Sequence, residues 1–113
     1  MATPVTALSP RTVQVYVDVD PKTKVVKNVT PDPFTIHKNQ GQDVRWICIQ
    51  GLPFTVDFNG QHGSPFHQSK FGHNQPWSGL AREDVKPDPD VKYKYTVTVD
   101  GGPPKDPDGV VDR

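Results

Sequence analysis

Residues 42–58 read Gln-Asp-Val-Arg-Trp-Ile-Cys-Ile-Gln-Gly-Leu-Pro-Phe-Thr-Val-Asp-Phe. Two β-rich runs flank a Gly51-Leu52-Pro53 break. Side chains alternate across a strand, so Val44, Trp46 and Cys48 share one face and Phe54, Val56 and Phe58 share another. These two triplets are expected to supply much of the core. Ile47 and Ile49 are apolar on the face opposite Trp46. The first run is therefore expected to be buried on both faces, or to change register at a bulge.

The same alternation extends outward from this stretch. Val13, Val15 and Val17 alternate with Gln14, Tyr16 and Asp18, which predicts a half-buried strand over Thr12 to Asp18. Asp20-Pro21-Lys22-Thr23 is a turn, and Lys24 to Val29 returns as the second arm of a hairpin. Phe34 and Ile36 face inward in a short strand that ends at His37. Val91 to Asp100 is predicted as one strand with Val91, Tyr93, Tyr95, Val97 and Val99 on one side. A short closing strand at Val110-Val111 is expected to leave a sheet edge open for pairing between chains.

Between these strands, residues 59–90 lose the pattern. They hold four glycines, four prolines and three of the four histidines, and they read as one long irregular loop. Phe66, Phe71 and Trp77 are expected to pin this loop to the core, or else to form a ligand or partner surface. Ser78 to Asp84 is read as one short helical turn. Residues 1–11 form a Pro-bounded arm, apolar enough to dock on a neighbour, and residues 12–113 make one domain.

Composition narrows the function. Thirteen basic and thirteen acidic residues leave no field to attract nucleic acid or anionic lipid. Thirteen prolines and nine glycines in 113 residues favour turns over long helices. No apolar run has the length of a membrane span. Residues 1–10 have no basic start or apolar h-region, which points to the cytoplasm; a trimmed mature form would instead fit the periplasm or the exterior. The single cysteine excludes an internal disulfide framework, and Cys48 reads as a small buried core residue. No Ser/His/Asp signature, phosphate-cradling glycine loop or paired-carboxylate motif is present, so an enzyme is not expected.

Short alternating strands with Pro/Gly turns favour an all-β, antiparallel sandwich. Gly41-Gln42-Asp43-Val44-Arg45-Trp46, then Pro53-Phe54-Thr55-Val56-Asp57-Phe58, then Tyr93-Lys94-Tyr95-Thr96-Val97 resemble the strand sequence of the cupredoxin family. The resemblance runs from about Thr12 to Val111 and implies an antiparallel Greek-key β-sandwich. The family's first copper-binding histidine would fall at Phe54, and Thr98 to Asp108 lacks the cysteine, histidine and methionine that complete the site. A type 1 site needs one thiolate and two converging imidazoles. The resemblance thus implies a cupredoxin-like domain without bound copper and with no other cofactor expected. Its role would be a structural or protein-binding module, acting with a protein partner or by self-association in a homo-oligomer or larger assembly. The alternative is a copper or zinc protein that uses His62, His67 and His73. A second alternative is a small-ligand or sugar-binding module built on the Trp77 loop.

Overall fold

Hydrophobic alternation becomes nine short strands in the computed structural model, which describes residues 11–113. They are β1 (Thr12–Val19), β2 (Val26–Thr30), β3 (Phe34–His37), β4 (Asp43–Cys48) and β5 (Phe54–Asp57). The second half contributes β6 (Lys70–Gly72), β7 (Asp88–Lys94), β8 (Thr96–Val99) and β9 (Asp108–Asp112). The only helical element among the described residues is a 3₁₀ turn, Lys38–Gln40. No helix among them is long and apolar enough to cross a membrane. The fold is all-β. Of the arm expected over residues 1–11, all but Arg11 lies outside the described residues.

The strands form three small sheets, ordered β2-β1-β4, β3-β9-β7 and β6-β5-β8. β1 and β2 make the expected hairpin, closed by Asp20 N–H donating to Val25 O at 2.9 Å. The two runs of the 42–58 stretch separate into different sheets. β4 pairs with β1, and β5 pairs with β6 and β8. The Gly51-Leu52-Pro53 break is thus a crossing between layers. Two pairings, β1 with β4 and β3 with β9, are parallel, so the sheets are not purely antiparallel as expected.

The core forms where the inward faces of the three sheets meet. Val15, Val17, Val44 and Trp46 come from the first sheet, Phe34, Ile36 and Val111 from the second, and Phe54, Val56, Val97 and Val99 from the third. Cys48 is buried among them as a small apolar residue. Trp46 and Phe34 lie at the centre. Trp46 packs on Phe71 at 5.2 Å between ring centroids and edge-on to Tyr95 at 5.8 Å. Phe34 meets Phe66, Phe58 and Tyr95. Such aromatic pairs add about 0.5–1.5 kcal/mol each beyond burial.

Several expectations change here. The 91–100 run is not one strand. It breaks at Tyr95, whose N–H donates to Pro107 O at 3.0 Å, and β7 and β8 continue into different sheets. Tyr95, Val97 and Val99 are buried, but Val91 and Tyr93 are only half-buried, because β7 runs along the outside of β9. β9 is not an open edge: β3 and β7 flank it on either side. The edge strand β7 carries Pro89, Lys92 and Lys94 instead, residues that discourage pairing with another chain.

The helical turn over 78–84 is absent, and those residues are a turn at Glu83-Asp84 within extended chain. The competing use of Ser78 explains this. Its backbone N–H donates to Val44 O, and its hydroxyl accepts from Val44 N–H, both at 2.8 Å. Residues 76–78 thereby lie along β4.

Tyr95 carries a polar atom into this core. Burial raises its phenol pKa, opposed by the indole N–H of Trp46, yet neither Tyr95 Oη nor Trp46 Nε1 has a partner in hydrogen-bond geometry. An unsatisfied buried hydroxyl costs about 1–3 kcal/mol. Tyr95→Phe is therefore expected to leave stability unchanged or raise it in thermal unfolding. The raised pKa makes the sign at high pH definite. The contribution of a neutral Tyr95 is complete below the ordinary phenol value of 10.0 and declines above it, as the unfolded chain ionises first. The wild-type curve should therefore fall faster than that of Tyr95→Phe above that value; parallel curves would contradict this.

Candidate functional site

The outward side of the β2-β1-β4 sheet is built by the same alternation that fills the core. With Val15, Val17, Val44 and Trp46 turned inward, Gln14, Tyr16, Asp18, Arg45 and Ile47 turn outward. The parallel register sets Gln14 beside Arg45 and Tyr16 beside Ile47. Ile49 extends the ladder, its N–H donating to Val17 O at 2.9 Å. On the far side of β4, Trp46 N–H donates to Pro76 O at 3.0 Å and Ser78 N–H to Val44 O. This antiparallel bridge puts Trp77 directly beside Arg45, whose guanidinium carbon sits 4.6 Å from the indole centroid. Cation–π contact of this kind is worth about 0.5–1 kcal/mol where exposed.

The result is a sheet face with an apolar centre. Trp77 is 49% exposed, Ile49 58% and Tyr16 40%, with Ile47 half-buried between them. These are three of the five large hydrophobic residues exposed among the described residues. A contiguous exposed patch of this kind marks an interaction surface more often than isolated apolar residues do. The polar members are fixed in place. Tyr16 Oη donates to Gln14 Oε1, and Gln50 Nε2 donates to Asp18 Oδ1 at 2.7 Å. The expectation that the first run of the 42–58 stretch is buried on both faces is thus overturned, because Ile49 is exposed and Ile47 only half-buried. The ladder to β1 runs through Cys48 without a bulge.

The expected aromatic surface divides. Phe66 and Phe71 are 2% and 5% exposed and pack in the core. They fix the 59–90 segment to the sandwich, helped by a Phe66–Ala81 bridge and by β6. Trp77 alone is on the surface, since its neighbours Pro76 and Ser78 take up the hydrogen bonds to β4. Sequence reading put Tyr16 on the outer side of a half-buried strand but did not bring Arg45, Tyr16, Ile47 and Ile49 together as a candidate surface.

The three candidate histidines have separate surroundings. His62 lies edge-on to Tyr93 at 6.2 Å between ring centroids. His67 Nε2 is 3.6 Å from Glu83 Oε1, an exposed pair of little energetic weight. His73 lies edge-on to Phe54 at 6.3 Å. Among the described residues no group of three or more His, Cys, Asp or Glu side chains is placed to hold a metal ion.

The surface of the described residues includes two concavities of about 390 Å³ and one of about 160 Å³. The first lies between Lys38, Gln42, His67, Leu80 and Glu83, and the Lys38 ammonium there is engaged by the carbonyls of Glu83 and Val85. The second is a shallow trough along Pro53–Thr55 and Lys70–Gln75. The smallest lies beside the outer face, between Arg45, Cys48, Leu52 and His73. Comparison of the chain with family models, curated proteins and solved structures returns no match.

Proposed function

We propose that the chain is a non-catalytic, protein-binding β-sandwich module of the cupredoxin-like Greek-key type, without a type 1 copper site. The observation that carries the reading is the outer β1–β4 face, where Trp77, Ile47, Ile49 and Tyr16 form an apolar centre framed by Arg45 and Asp18. Two further features support it. Consecutive strands β4 and β5 lie in different sheets, so the chain crosses between layers, as it does in β-sandwich folds. Phe54, where the family resemblance calls for a histidine, is 6% exposed and packs in the core. A side chain used for packing there favours a scaffold over a metal centre.

Metal content tests the reading. Protein purified without a histidine tag, exposed to copper and then zinc and dialysed, should retain far less than one ion per chain by elemental analysis. Stoichiometric metal, lost when His67 or His73 is replaced by alanine, would refute the non-metal reading.

A further inference from the structure

We propose that the outer β1–β4 face binds a second copy of the same chain through a two-fold axis that pairs Arg45 with the partner's Asp18. This rests on the protein-binding reading above and names the partner of that face.

The outward residues form a grid whose columns are the 76–78 segment, β4, β1 and β2. One row holds Trp77, Arg45 and Gln14. The next holds Ile47, Tyr16 and Thr30. The third holds Ile49, Asp18 and Asn28. Columns are ~4.8 Å apart and rows about 6.7 Å apart, two residues along a strand. Consider a two-fold axis in the plane of the face, passing between Ile47 and Tyr16 and perpendicular to the line from Arg45 to Asp18, about 20° away from perpendicular to the strands. It places Ile47 and Tyr16 on their own copies. The same operation carries Arg45 over the partner's Asp18 and brings Trp77 within about 3 Å, in projection, of the partner's Ile49. Like thus meets like at the centre, and opposite charges meet at the two ends. A two-fold interface has to be self-complementary in this way.

The charges are available for it. Neither Arg45 nor Asp18 forms an ion pair among the described residues. Gln50 engages Asp18 Oδ1 and leaves the second carboxylate oxygen open. Arg45 Nε has no hydrogen-bond partner among the described residues, and the guanidinium carbon lies 4.6 Å from the Trp77 ring centroid. Two of the sheet edges do not compete for the contact, because β7 is guarded by proline and lysine and the outer edge of β4 is taken by residues 76–78.

Size sets the strength. The grid covers on the order of 400 Å², about half the roughly 800 Å² per partner of a standard interface. Association is therefore of the weak, transient class.

Sedimentation equilibrium of the full chain up to millimolar concentration tests the proposal. The wild type is expected to show a monomer–dimer equilibrium. Trp77→Ser, an exposed position, should weaken it about tenfold or more with the unfolding midpoint retained. Arg45→Glu and Asp18→Arg should each weaken it by about tenfold, and the double variant should return to within about threefold of wild type, since the reversed pair meets its own reverse. Dimerisation that the double variant fails to restore would overturn the two-fold pairing. A wild type that stays monomeric at millimolar concentration would overturn the second copy as occupant. Neither result touches the non-metal reading, which metal content decides separately.

Discussion

Replacing Trp46 by alanine is expected to lower the free energy of unfolding by about 3–5 kcal/mol. Trp46 is 1% exposed and stands where the three sheets meet. Its ring touches Phe34, Phe58, Phe71 and Tyr95, with centroid separations of 5.2–6.2 Å. Truncation would remove these contacts and leave a cavity ringed by stiff aromatic side chains, which collapse poorly into empty space. A domain of this size has about 5–15 kcal/mol of stability in total, so the variant would sit close to the unfolding threshold. Urea unfolding should show a large drop in midpoint at an unchanged slope. A loss below about 1 kcal/mol would mean that the ring is not the centre of the core.

Gly109→Ala is expected to be the second most damaging small change. In the parallel β3–β9 pair Gly109 lies directly opposite Phe34. A Cβ at Gly109 would sit 2.2 Å from Phe34 Cζ and 2.5 and 2.7 Å from its Cε atoms. Phe34 cannot swing aside, because it is fully buried against Trp46, Phe58, Phe66 and Tyr95. The methyl group must therefore push apart β3 and β9, the central strand of its sheet. Overpacking of this sort costs about 1–3 kcal/mol, and more where the backbone is the part that must yield. A double-mutant cycle with Phe34→Leu checks the cause. The smaller side chain should recover part of the loss, whereas strictly additive effects would locate the damage elsewhere.

These two residues also show how far the fold could be read from the chain. The period-two pattern marked Val15, Val17, Phe34, Ile36, Trp46, Phe54 and Val56 as inward, and all of them are buried. That inference is local, since it needs only the alternation of side chains along a strand. What failed depended on pairing. Ile47 and Ile49 look like a second buried face in sequence, because apolar character does not tell whether another layer covers them. Tyr95 looks like the middle of a strand, but the hydrogen bond from its N–H to Pro107 O lies 12 residues away in sequence and breaks the run there.

The candidate surface was legible only in part. Trp77 stood out as an unusual residue in an irregular segment, but its place beside Arg45 depends on the ladder that Pro76 and Ser78 make with β4. Phe66 and Phe71 have the same chemistry, yet they face inward because β6 and the Phe66–Ala81 bridge turn that segment onto the core. The histidine spacing of five and six residues had no regular element to bring the rings together, and each ring is found beside a different neighbour.

The central proposal is that the outer β1–β4 face binds a second copy of the chain. The most direct measurement is a concentration series of heteronuclear NMR spectra, which records each backbone and indole N–H separately. Concentration-dependent shifts are predicted for Tyr16, Asp18, Arg45, Ile47, Ile49 and the Trp77 indole, with the signals of β7 and β9 unmoved. Spectra that do not change with concentration, or shifts centred on β7 and β9, would contradict the claim.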